Sequence, residues 1–117
     1  MSGFDISRSD KNEVSVLHLS GFLDAHTVNR FENALQDLLK EDRYKITVNL
    51  KDLDYISSAG LGVFMGFIEE IREKGGDIKI SNLSPKVYKV FDLLGFPALF
   101  DICEDEQEAL NKFNSAQ

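Results

Sequence analysis

Cysteine occurs once in the chain, at Cys103, so no disulfide can close within it and no cysteine zinc site can be assembled from it. A reducing compartment suits such a chain. Cys103 itself, in the run Leu99-Phe100-Asp101-Ile102-Cys103, reads as a small buried residue rather than a reactive thiol. Histidine is nearly as scarce, and His18 and His26 among scattered acids make no metal site, so neither metal nor cofactor is expected. Basic residues are outnumbered, 13 Lys and Arg against 20 Asp and Glu, for a formal charge of -7. Nucleic-acid affinity is carried largely by clustered Lys and Arg that replace counterions, so this balance argues against a phosphate-backbone binder and, equally, against direct membrane binding. No apolar run approaches the length of a membrane span. Met1-Ser2-Gly3-Phe4-Asp5 has neither the basic start nor the apolar stretch of a signal peptide, and a cytoplasmic location is expected.

What is present suffices for one core: 117 residues, 43% of them hydrophobic, with no linker, repeat or low-complexity segment, read as a single domain over 1–117. Asp5 to Arg8 is a plausible edge strand beside Glu13 to Ser20, whose mixed alternation suits a strand covered on both faces. Val28, Phe31, Leu35, Leu38 and Leu39 mark an amphipathic helix over Ala25 to Asp42, with Asp24 as the candidate N-cap. Lys45 to Leu50 alternates as a strand and leads through Ile56 to a helix from about Ala59 to Lys74, stopped by Gly75-Gly76. Asp77 to Ser81 is a further strand. Ser84 and Pro85 open a helix with Val87, Val90, Phe91 and Leu94 inward, Gly95 lies beyond its end, and Pro97 prevents continuation. A strand near Leu99 to Ile102 and a helix from about Asp105 to Phe113 follow, with fraying expected from Asn114 onward. Strands alternating with helices predict an α/β fold: a four- to five-stranded mixed sheet, an antiparallel pair first and the rest largely parallel, packed with about four helices.

Leu53-Asp54-Tyr55-Ile56-Ser57-Ser58-Ala59-Gly60-Leu61-Gly62 forms a strand-to-helix junction at the carboxyl edge of the sheet, where open α/β folds place their sites. A helix start offers free N–H groups and a positive dipole end, so a phosphate on Ser57 or Ser58 would have an electrostatic partner there. Either serine could instead be no more than the N-cap. On the helix that follows, Leu61, Phe64, Met65, Phe67, Ile68 and Ile71 share a core face, while Gly62 and Gly66 fall opposite with Glu69, Glu70 and Glu73, and Val63 borders them. Each interior glycine costs up to about 1 kcal/mol relative to alanine. Something must therefore approach closely at Gly62, Val63 and Gly66, either a partner docking on the strip or another part of the same chain.

Catalytic patterns are thin. A hydrolase nucleophile elbow needs glycine two residues before the serine, and Ile56 stands there. A Ser58, Asp24 and His26 relay lacks an oxyanion motif. Gly60-Leu61-Gly62 has neither the third glycine nor the lysine of a phosphate-cradling loop. No catalytic residue is assigned, and the chain is read as non-enzymatic. Glu104-Asp105-Glu106 with Glu108 is the acidic first turn of the last helix. Phe96 is either a core lid or an exposed anchor.

Asn49 to Val63, with Gly21-Phe22-Leu23-Asp24 upstream and Leu83-Ser84-Pro85 through Phe91 and Gly95 downstream, resembles the STAS-domain family of bacterial anti-sigma-factor antagonists across essentially the whole chain. The most specific element is Ser-x-Gly-Leu-Gly after a strand. The resemblance implies a protein that, unphosphorylated, binds an anti-sigma factor and frees the sigma factor. The anti-sigma factor, itself an ATP-dependent serine kinase, would inactivate it by phosphorylating Ser58, and a phosphatase would reset it. It further implies that Asp24 lies beside the phosphoacceptor; with the glycine strip read from the helix, Asp24, Ser57, Ser58, Gly62, Val63 and Gly66 are the residues expected to meet the partner. Many members carry an acidic residue where Ser57 stands, which makes Ser57 a competing acceptor here, and Asp where Asn49 stands. Other members are never phosphorylated and serve as interaction modules in larger sensors or beside membrane transporters.

Overall fold

A computed structural model describes residues 3–115. Its elements are β1 (Phe4–Lys11), β2 (Val14–Leu23), α1 (Val28–Lys40), β3 (Lys45–Ile56), α2 (Ser58–Glu73), β4 (Asp77–Ser81), α3 (Pro85–Leu93), a 3-10 turn (Phe96–Ala98), β5 (Asp101–Cys103) and α4 (Glu106–Ser115). One five-stranded sheet runs β1-β2-β3-β4-β5. β1 and β2 pair antiparallel, and every later pair is parallel. The α/β mixed sheet expected from the sequence is the one observed.

Strand order that follows chain order, joined by right-handed crossovers, puts α1, α2 and α3 on one face. Ile46, Val48 and Leu50 of β3 point into that layer with Leu17, Leu19, Ile78 and Ile80. Phe64 of α2 lies at its centre, with ring centroids of Phe31, Phe91, Phe96 and Phe100 at 5.1, 5.8, 6.4 and 5.9 Å. Edge-to-face rings at these separations add about 0.5–1.5 kcal/mol per pair beyond burial. Phe96 is thus core. Thr47 and Asn49, the alternate residues of β3, face the other side, where α4 packs on β3, β4 and β5. Ala109 and Phe113 are its buried apolar contacts.

Several boundaries shift. α1 begins three residues late because Thr27, not Asp24, precedes its first turn. Asp24 instead builds the turn before it, its Oδ1 accepting the His26 N–H at 2.9 Å. β5 starts at Asp101, after the turn that Pro97 opens. α4 continues through Asn114 to Ser115, where fraying was expected, and its first turn is capped by Asp105, whose Oδ1 accepts the Glu108 N–H at 2.8 Å. Residues 116 and 117 lie outside the described residues. Met65 and Leu94, expected inside, are 46% and 57% exposed. Among the described residues, no helix is long and apolar enough to cross a membrane.

Candidate functional site

The two serines of the junction are not equivalent. Ser57 is the N-cap of α2, in extended backbone (φ -95, ψ 172), and its Oγ accepts the Gly60 N–H at 3.3 Å. Its own N–H donates to the Leu23 carbonyl at 2.9 Å, locking it to the end of β2. Ser58 is the first residue of α2 and is exposed. Among the described residues no hydrogen bond engages its hydroxyl. It therefore stands at the positive end of a sixteen-residue helix with its nucleophilic oxygen free.

Gly60 explains how the helix reaches this seat. A Cβ there would lie 2.9 Å from Ile56 Cγ1 and 2.9 Å from Leu23 Cγ, so only glycine lets α2 start against the ends of β2 and β3. Gly62 and Gly66 are different: both are exposed, and a Cβ at either would meet nothing within 4 Å. Packing against the described residues of this chain is thereby ruled out as the reason for those glycines. Val63 is a correction, being 5% exposed and part of the core, so it does not line the strip. Met65 takes its place, seven residues after Ser58 on the same outward face.

At the ends of β2 and β3, where the chain leads into the serine turn, lies a surface that no local pattern announces. β3 carries two register shifts against β2, between His18 and Ser20 and between Gly21 and Phe22. Each leaves one more residue on β3 than on β2, which is how bulges re-aim side chains near sites. They pair Phe22 with Tyr55, both about half exposed (48% and 47%), with ring centroids 6.5 Å apart. Asp24 follows Leu23 directly, so its loop adjoins Ser57. The signal that could have found Phe22 and Tyr55 was a pair of aromatics flanking two strand ends. Recognising them required the register.

The remaining candidates disperse. His26 is exposed, and its backbone N–H serves the Asp24 turn. His18 lies 2.9 Å from Asp52 through Nε2, an exposed pair on the α4 side of the sheet. Among the described residues no group of His, Cys, Asp or Glu could hold a metal ion. Cys103 is buried, as expected, and its thiol is pushed up to about 11 by burial, with the Asp101 carboxylate adding to the shift.

Compared with known proteins, residues 6–109 match the STAS domain. The anti-sigma F factor antagonist of Paenibacillus polymyxa is 30% identical over 100 residues, covering 85% of this chain and 86% of that protein. The anti-sigma-B factor antagonist of Bacillus subtilis (strain 168) is 30% identical over 95 residues, covering 81% and 85%. The solved structure of the anti-sigma factor antagonist SpoIIAA in its unphosphorylated form has a TM-score of 0.83 at 23% identity, over 97% of this chain and 99% of that one. The Bacillus cell fate determinant SpoIIAA in the phosphorylated form gives 0.72 at 25% identity, over 94% and 98%.

Proposed function

This chain belongs to the STAS-domain family, and from that premise we propose that it is an anti-sigma-factor antagonist switched by phosphorylation of Ser58. Unphosphorylated, it binds an anti-sigma factor that is also a serine kinase and so releases the sigma factor. The nucleotide and the catalytic groups belong to that partner. Phosphate on Ser58 ends the complex, and a phosphatase restores it.

The observation that carries this reading is the division of labour between the serines. Ser57 is held by its capping bond to Gly60, whereas Ser58 is exposed with a free hydroxyl. Ser58 is the acceptor and Ser57 the cap. Docking uses the outer face of α2, where Gly62 and Gly66 admit a partner backbone, with Met65 and the Phe22 and Tyr55 rings as apolar anchors at its rim. Asp24 and Ser57 shape the loop between them. A phosphoserine brings about -1.5 to -2 charges and three acceptor oxygens into the middle of that surface. Asp54 is nearby on the chain and Asp24 follows Leu23, whose carbonyl holds the Ser57 N–H, so a partner adapted to the neutral hydroxyl would meet a concentrated negative field.

The test is a titration of the anti-sigma-factor kinases of the source organism with unmodified chain and with chain carrying phosphoserine at 58. At least tenfold weaker binding by the modified chain is expected. Equal affinity would show that Ser58 is not the switch.

A further inference from the structure

Asn49 occupies the root of the structure that presents the site. The pairing of β3 with β4 ends at Asn49 and Ser81. Beyond it, among the described residues, β3 pairs only with β2, through one bulge before Asp52 and a second before Tyr55, and delivers Tyr55 and the serine turn. This stretch is an arm with a strand partner on one side and with Leu53 and Ile56 set into the core. Asn49 is 6% exposed and uses both ends of its amide. Its Oδ1 accepts the Lys51 N–H at 2.9 Å, inside the first bulge, and its Nδ2 donates to Glu106 Oε1 at 3.0 Å, at the first residue of α4. The two partners fix the amide orientation, because an N–H must face an acceptor and a carboxylate must face a donor. Aspartate could hold the bulge but, ionised, could not donate to Glu106.

The α4 end of this bridge matters because α4 rests on a polar floor. Thr47, Asn49, Lys79 and Ser81 are buried on this sheet face, and the Thr47 and Ser81 hydroxyls have no hydrogen-bond partner in the described structure. Ala109 and Phe113 bury its apolar side, and charge adds Lys112 Nζ on Asp101 at 2.7 Å and Lys79 Nζ 4.7 Å from the Phe113 ring centroid. Asp105 caps the first turn of α4 through the Glu108 N–H, and the Asn49 bond joins that turn to β3.

We propose that Asn49 is a positioning residue that ties the root of the arm to α4, so that the seat of α4 governs how Phe22, Tyr55 and Ser58 are presented. The inference rests on the reading of that surface as the docking site. Its test uses the full chain without any partner, so it fails or succeeds independently of whether Ser58 is phosphorylated. Amide hydrogen exchange and amide chemical shifts are measured for wild type, Glu106→Ala, Asn49→Asp, and Asn49→Asp combined with Glu106→Gln.

Loss of one net hydrogen bond corresponds to about three- to tenfold faster exchange at the amides it protects. For Glu106→Ala that acceleration is expected at Lys51 and across Tyr55 to Gly60, with Ile46 to Val48 unchanged. Asn49→Asp should do the same. Adding Glu106→Gln should restore wild-type exchange, because the glutamine amide donates back to the new carboxylate. A general loss of stability would instead accelerate Ile46 to Val48 as well and would not be rescued. If Glu106→Ala perturbs α4 alone and leaves Tyr55 to Gly60 at wild-type shifts and rates, the coupling is absent and the proposal falls.

Discussion

Among single residues, Ser57 and Ser58 are adjacent and chemically identical, and only their bonds separate them. Ser57→Ala removes a cap and should cost about 1 kcal/mol in urea unfolding while leaving the acceptor in place. Ser58→Ala should change stability by less than about 0.5 kcal/mol, as expected for an exposed side chain without partners, yet abolish phosphate incorporation. The doubled serine was legible in the sequence, but which one caps was not, since that depends on where the first helical residue falls. Cys103 is the opposite case, a burial read correctly from an apolar run. With its thiol near 11, it should react with a thiol reagent at pH 8 about a hundredfold more slowly in the folded chain than in denaturant. Comparable rates would mean that α4 leaves the sheet readily.

For α2, local chemistry and packing part company at its three glycines. Gly60→Ala forces a Cβ against Leu23 and Ile56 and should destabilise by about 1–3 kcal/mol. Gly62→Ala and Gly66→Ala enter open space in a helix and should each stabilise the chain by up to about 1 kcal/mol, while weakening capture of the partner. Thermal unfolding beside a binding titration separates the two effects, and unchanged binding by both variants would remove the docking role from this face. Helix ends marked by Ser84, Pro85 and Gly95 were legible because capping and turn chemistry are local. The arm of β3 was not, because its bulges break the alternation on which a strand is recognised. Val63 was misplaced for a related reason: a projection of α2 alone omits the tertiary neighbours that widen its buried face.

In the molecule as a whole, strand order equal to chain order explains why three helices share one face and why α4 is left to cover the other. That face mixes the buried apolar Cys103, Ala109 and Phe113 with the charged Lys79, Asp101 and Lys112, so part of its cohesion is electrostatic and responds to acid. Burial pushes the Asp101 carboxyl up, but its hydrogen bonds to Lys112 and Lys79 outweigh this and the net shift is downward. Asp10 is likewise lowered, chiefly by Arg8. A carboxyl lowered in the folded state stabilises above its unfolded value and loses that contribution as pH falls through the folded one. Melting temperature should therefore hold from pH 7 to about 5 and decline below about 4, with Asp101→Asn showing a shallower decline. The net charge of -7 was legible at once, but the placement of Lys79 beneath α4 was not, because a lysine in a short strand reads as solvent-facing. The central claim concerns one oxygen atom in this assembly, the Ser58 hydroxyl, and intact-mass and phosphopeptide analysis of the protein from its own cells, before and after stress, tests it most directly. The account predicts a single phosphate, located on Ser58, whose occupancy changes with stress and which Ser58→Ala eliminates; phosphate on Ser57 alone, or none under any condition, would contradict it.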